Sequence, residues 1–144
     1  MKKIKELLRE KGNEVCSIDP DASVFDAITL MAEKNIGALL VMRENQVVGV
    51  ISERDYARKV TLENHASRDT KVAQIMSDKV IYAEPSETVE ECMALMTDKH
   101  IRHLPVMQNN ELLGLVSIGD LVKAVIAEQK FMIEQLEHYI SGGV

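Results

Sequence analysis

The chain is written twice. Slid along itself so that Val15 falls on Val80, it stays in register without a gap until Val60 meets Val125, and about 15 of the roughly 46 aligned pairs are identical. Pro20 falls on Pro85, Val24 on Val89, Met31 on Met96, Ile36 on Ile101, Val41 on Val106, Gly49 on Gly114, Ser52 on Ser117 and Asp55 on Asp120. A unit of about 45 residues cannot bury enough apolar surface to be stable alone, so the two copies must depend on each other.

Each copy reads locally in the same way. A short strand (near Val15–Ile18 and Val80–Ala83) runs into a proline that stops it. Ser23-Val-Phe-Asp26 and Thr88-Val-Glu-Glu91 then form helix-opening capping boxes. The apolar stripe Val24, Ala27, Ile28, Met31 recurs as Val89, Cys92, Met93, Met96, and this spacing marks one buried helix face. Strands Ala38–Met42 and Val47–Ile51 turn through Glu44-Asn45. Their counterparts Leu104–Met107 and Leu112–Val116 turn through Asn109-Asn110, and asparagine tolerates the positive φ of tight hairpins. A second helix opens at Ser52 or Ser117. The expected fold is α/β, of the α+β kind: two β-α-β-β-α repeats related by a pseudo-twofold axis, with their sheets packed together and flanking N- and C-terminal helices. The expected divisions are an N-terminal helix over 1–12, repeat 1 over 13–62, a linker with a short helix over 63–78, repeat 2 over 79–126, and a helical extension and tail over 127–144.

Composition excludes several classes of function. Apolar residues make up 46% and charged residues 28%, which is globular composition; aromatics are only 3%, so the core must be aliphatic. A net charge of −6 with no basic stripe argues against a nucleic-acid partner, though one local pocket can still hold a small anion. Cys16 and Cys92 match no metal-ligand spacing and read as two buried thiols in a reducing compartment. No apolar run approaches a membrane span, and the charged start MKKIKELLREKG is no signal peptide, so the expected location is cytoplasmic. No nucleophile–base pair, metal set, P-loop or dinucleotide-binding glycine run is visible, and the chain is not expected to be an enzyme.

The segments Pro20…Ile36-Gly-Ala-Leu-Leu-Val41…Gly49-Val-Ile-Ser-Glu-Arg-Asp55 and Pro85…Ile101-Arg-His-Leu-Pro-Val106…Gly114-Leu-Val-Ser-Ile-Gly-Asp120 resemble the CBS-domain pair, named after cystathionine β-synthase. The resemblance covers roughly residues 8–126. It implies a cleft that binds AMP, ATP, ADP, NAD(H) or S-adenosylmethionine, and a regulatory role toward a protein partner. AMP is the leading candidate, and an energy or redox sensor the leading role.

The repeated Gly-x-x-Ser-x-x-Asp has two readings. Structurally it is a strand end followed by a helix cap: Ser52 or Ser117 caps, and Asp55 or Asp120 closes the box. Functionally, the same helix start offers free amides and positive dipole to a phosphate, and the carboxylate can accept both hydroxyls of a ribose. The family resemblance favours nucleotide contact at both copies. In the family, basic residues matching Arg102 and His103 approach the phosphates, and backbone near Pro105 and Leu104 frames the adenine. Arginine suits phosphate because its planar fork donates twice. Repeat 1 has Gly37, Ala38 and Leu40 in place of Arg102, His103 and Pro105, with Arg54 as a candidate compensating charge, so repeat 2 is the stronger AMP site. Ile18, Ile36, Ala83 and Ile101 are the candidate adenine walls, although residues of this kind are more often plain core.

From Ile118 the apolar positions Leu121, Val122, Val125, Ile126, Met132, Ile133, Leu136 and Ile140 continue without a break before Gly142. One repeat pair cannot cover a helix of that length. It must pack on the N-terminal helix (Ile4, Leu7, Leu8) or on a second subunit, and the resemblance implies a homodimer. The alternative to a sensor is a ligand-free interaction scaffold that docks a partner through this helix.

Overall fold

The computed structural model describes residues 2–12, 15–61 and 66–142. Residue 1 of the N-terminal helix, residues 13–14 and 62 of repeat 1, linker residues 63–65 and tail residues 143–144 lie outside the described residues.

Helix α1 (Ile4–Lys11) is eight residues long, has no side-chain cap and would not persist alone in water. Burial holds it: Ile4, Leu7 and Leu8 face inward, and a fully buried side chain of this kind contributes roughly 1.5–3 kcal/mol. The free amides of its first turn also find acceptors. Ile4 N–H donates to the Glu87 carbonyl at 2.9 Å and Lys5 N–H to the Pro85 carbonyl at 3.1 Å. The four-residue helix α4 (Val72–Ile75) is seated in the same way, its Val72 and Ala73 amides donating to the Ala22 and Pro20 carbonyls, both at 2.9 Å. Ile4, Leu7 and Leu8 therefore have counterparts in Val72, Ile75 and Met76. The gapless alignment missed this further duplicated element because the spacing between helix and repeat differs in the two copies.

The chain forms two compact units, Glu14–Ile81 and a discontinuous one made of Met1–Asn13 with Tyr82–Val144. Each unit thus contains the helix that precedes the other repeat in the chain.

In the first unit, β1 (Ser17–Ile18) runs parallel to β2 (Ala38–Arg43), which pairs antiparallel with β3 (Gln46–Ser52). The helix between them, α2 (Val24–Lys34), opens where Ser23 Oγ accepts the Asp26 amide at 3.0 Å. Val24, Ala27 and Met31 are buried against Leu39, Val41 and Ile51, while Ile28 is only half-buried at the edge of this core. After β3 comes α3 (Glu53–Asp55), which gives way to a π-helical turn over Tyr56–Thr61. The second helix of repeat 1 is therefore not the α-helix expected, and β-branched Val60 and Thr61 are weak α-formers.

In the second unit, α5 (Val89–Lys99) buries Val89, Cys92 and Met96. Strands β4 (His103–Gln108) and β5 (Glu111–Ser117) pair antiparallel. The strand expected near Val80–Ala83 shrinks to one parallel bridge, Ala83 to Val106. Helix α6 (Ile118–Ile140) runs 23 residues. Both hairpins turn at positive φ, at Glu44 and Asn45 and at Asn109 and Asn110, and each carries a register shift two strand residues before the turn, after Val41 and after Val106. The fold is α+β, with six helices and two small sheets among the described residues.

Only Cys92 is buried, where enclosure first, then Glu87 and Glu91, push its thiol up to about 12; Cys16 is half-buried, a correction to the paired reading of the two thiols.

The seats of α1 and α4 explain the paired glycines. A Cβ on Gly49 would lie 2.6 Å from Met76 Sδ and 2.8 Å from the Ser77 carbonyl oxygen, and one on Gly114 would lie 2.8 Å from Leu8 Cδ2. Gly49→Ala is expected to destabilise by about 1–3 kcal/mol in urea unfolding, because backbone must shift. Gly114→Ala is expected to cost less, since the end of the Leu8 side chain can rotate away. Equal losses would show that the two helix seats yield equally.

Candidate functional site

In each unit one serine ends a strand and caps the next helix. Ser117 closes β5 and opens α6: its hydroxyl accepts the Asp120 amide at 3.1 Å, and its own amide donates to Asp120 Oδ2 at 2.8 Å. Ser52 repeats this before α3, with 3.2 Å and 2.9 Å for the same two bonds, and its hydroxyl also donates to Asp55 Oδ2 at 3.0 Å. The reading of both motifs as capping boxes is met in the structure, and the carboxylates are held by the backbone they cap.

The other candidates of repeat 2 gather around Ser117. His103 pairs with Ser117 across the β4–β5 ladder. The Arg102 carbonyl accepts the Ile118 amide at 2.9 Å, which places Arg102 beside the first turn of α6. Arg102 is exposed, while His103 and Ile101 are half-buried. Ala83 and Leu104 are fully enclosed and Pro105 is buried, so their side chains present no open surface. Any contact they make must come through backbone, and the Ala83 amide is already committed to the Pro105 carbonyl at 2.9 Å.

Repeat 1 brings its candidates together in the same pattern. Ala38 pairs with Ser52, and the Gly37 carbonyl accepts the Glu53 amide at 3.0 Å. Ile18 and Ile36 pack on the edge of the core, Ala38 is buried within it, and Arg54 is exposed on the first turn of α3. Lys59, one helical turn beyond Asp55, stands 3.7 Å from Asp55 Oδ1 and donates to the Ile75 carbonyl at 3.0 Å.

Lys11 was not visible as a site residue in the sequence. Its ammonium donates to Asp120 Oδ2 at 2.5 Å and to the Leu115 carbonyl at 2.6 Å, across 109 and 104 residues of chain. No local pattern marks such a pair, because it forms only once Leu8 is seated against Gly114. Burial pushes the Asp120 carboxyl up, but the Lys11 hydrogen bond, the Ser117 amide, the Lys11 charge and the Ser117 hydroxyl together outweigh it and hold it below its ordinary value. Oδ2 thus already accepts two donors. Ribose hydroxyls approaching this carboxylate must use Oδ1 or displace Lys11.

Among the described residues, no group of three or more His, Cys, Asp or Glu side chains is placed to hold a metal ion, and no helix is long and apolar enough to cross a membrane.

A duplicated strand–serine–helix junction, with an aspartate one turn in, marks the chain as two copies of one structural module. Residues 4–61 and 72–127 both match the CBS domain model, and the chain belongs to the CBS-domain family. Both matched segments begin at the seated helices α1 and α4. The chain is 38% identical to the mitochondrial CBS domain-containing protein CBSX3 of Arabidopsis thaliana, over 97% of this chain and 72% of that one. The solved CBS-domain structure NE2398 is 50% identical, covers 87% of this chain and 98% of its own, and superposes with a TM-score of 0.83. A more distant structure shares the fold at 21% identity and a TM-score of 0.78 over 89% of this chain and 98% of its own. It is the CBS domain pair of MJ0100 in complex with 5'-methylthioadenosine and S-adenosylmethionine.

The Lys11–Asp120 pair generates a pH prediction. Because the folded carboxyl lies below its ordinary value of 3.8, its contribution to stability is fully present above that pH and is lost as pH falls through the lowered value. Acid titration followed by far-UV circular dichroism should show Lys11→Met unfolding at higher pH than the parent chain. Coincident acid limbs would mean that Lys11 does not protect the carboxylate.

Proposed function

We propose that this chain is a regulatory module that binds adenine nucleotides, AMP foremost, with ATP, ADP, NAD(H) and S-adenosylmethionine as the alternatives. It performs no chemistry of its own. It reports occupancy to a protein partner or through its own self-association into a homodimer.

The observation that carries this reading is the capped junction of repeat 2. The first turn of α6 presents positive dipole and the Gly119 amide, since its Ile118 and Asp120 amides are already given to the Arg102 carbonyl and the Ser117 hydroxyl. Asp120 lies beside it, and the exposed Arg102 flanks the same turn. These are the groups that a ribose and a phosphate require: a carboxylate acceptor for hydroxyls and cationic donors for the anion. Repeat 1 offers a weaker version, since α3 spans only three residues before the π-helical turn and Gly37 stands where repeat 2 has arginine. The adenosine-type ligands of the MJ0100 domain pair support the ligand class, while its low identity leaves the choice among nucleotides to experiment.

A second reading is an interaction scaffold acting through the C-terminal helix. The exposed apolar residues of α6, Ile126, Ile133, Leu136 and Ile140 among them, favour it. Truncation after Ala127 would then abolish partner capture, with no effect of nucleotide.

Titration calorimetry of nucleotide-stripped protein against AMP, ADP, ATP, NADH and S-adenosylmethionine decides between the readings. Saturable binding of AMP is expected, lost in the double variant Ser117→Ala/Asp120→Ala. Arg102→Ala is expected to weaken AMP by about tenfold or more while leaving adenosine nearly unchanged, the loss of one charge-assisted contact. Flat titrations across all five compounds would overturn the nucleotide reading.

A further inference from the structure

Every residue from 129 to 142 is exposed, although α6 stays helical to Ile140. A helical extension with no tertiary partner draws no stability from packing and leaves its apolar surface in water. That surface is ordered. Val122, Ile126, Gln129, Ile133, Leu136 and Ile140 follow one another at alternating steps of about four and three, the heptad spacing of a coiled-coil seam. Isoleucine occupies every a position (Ile126, Ile133, Ile140), and the d positions are Val122, Gln129 and Leu136. Ile126, Ile133, Leu136 and Ile140 are 58, 55, 59 and 80% exposed.

We infer that this seam is covered by the same seam of a second copy of the chain, as a parallel two-stranded coiled coil over the C-terminal half of α6. The inference deepens the self-association part of the proposed function and is independent of its nucleotide part.

Three features select this occupant. The first is pattern. A heptad seam is complementary to another heptad seam, and among the described residues the next longest helices, α2 and α5, have 11 residues each and turn their apolar faces into their own units. The second is residue type. Isoleucine at every a position, with leucine at the d position of the C-terminal heptad (Leu136), favours two parallel strands over higher orders. The third is polarity. In the parallel register Gln129 faces Gln129 of the partner, so the two amides can pair. An antiparallel pairing would set Gln129 against Ile133, leaving the amide unpaired, and would bring Lys130 against its own copy. In the parallel register Lys130 and Glu137 instead flank Val125 and Met132, and their stems extend the apolar strip.

The exposed large side chains on the seam and its flanks are Val122, Ile126, Met132, Ile133, Leu136, Tyr139 and Ile140, while Phe131 lies on the opposite face. At on the order of 100 Å² each, these seven bring the strip toward the roughly 800 Å² per partner of a standard interface.

Sedimentation velocity of the full chain without nucleotide tests the inference. The parent should sediment as a dimer, and Ile133→Asp/Leu136→Asp should weaken self-association by at least about tenfold. These side chains are more than half exposed, so near-parental urea unfolding of the variant should show the fold intact. Gln129→Cys under a mild oxidant should give a covalent dimer, reversed by reductant and absent from the parent chain. A monomeric parent overturns both the inference and the self-association reading. A dimer that survives the double aspartate variant, or a trimer or larger species, overturns the seam while leaving self-association standing. A dimer in which Gln129→Cys never crosslinks overturns the parallel arrangement. None of these results depends on whether AMP binds.

Discussion

The structure depends on how two short helices are seated. Neither α1 nor α4 has the length to exist alone, and each is held by burying an aliphatic face and by giving its first amides to carbonyls just before a longer helix. The acceptors are equivalent in the two units: Glu87 and Pro85 in one, Ala22 and Pro20 in the other. Pro20 and Pro85, buried in both copies, are thus themselves acceptors at the two helix seats. Because each helix belongs to the unit of the other repeat, the chain crosses from one unit to the other between each helix and the repeat that follows it.

The same seating reaches the candidate site. Leu8 against Gly114 sets the end of α1 beside β5, and this brings the Lys11 ammonium to Asp120 and the Leu115 carbonyl. In the other unit Met76 stands against Gly49, the Ser77 amide meets the Val50 carbonyl at 2.9 Å, and the cation near the carboxylate is Lys59, drawn from the following helical turn. The two junctions share a capping box and differ in what balances its carboxylate. Lys11 makes a two-point contact with Asp120 and strand backbone, so a ligand competing for Oδ2 would act directly on the end of α1. In repeat 1 the lysine stands farther from its carboxylate, and the helix beyond changes to π geometry.

Helix α6 combines two regimes in one element. Its first turns bury Leu121 and Ala124 against the unit and carry the cap. Its remainder offers a heptad seam to solvent. Intramolecular packing organises one end and not the other, so a coupling between the junction and self-association would run along a single continuous helix. The repeat-1 counterpart, only three α-helical residues before the π-helical turn, has no such extension among the described residues.

Much of this was legible in the residues. The helix caps at Ser23, Ser52, Thr88 and Ser117, the positive-φ turns at Asn45 and Asn110, and the stripes Val24–Ala27–Met31 and Val89–Cys92–Met96 all follow from interactions a few residues long. Those interactions repeat because the sequence repeats, and the excess of apolar positions beyond Val125 was visible for the same reason. Other features were not local. The first strand of repeat 2 fades to one bridge at Ala83, Leu104 and Pro105 sink into the core, α1 joins the far repeat, and Lys11 closes on Asp120. Each depends on which distant surfaces bury each other, a choice made by packing volume and by the need to satisfy helix-end amides. The amino-acid order by itself determined a duplicated α+β module with two capped strand–helix junctions. Tertiary structure alone decided that Lys11 stands at Asp120, because that contact exists only after a leucine and a glycine far apart in the chain have met.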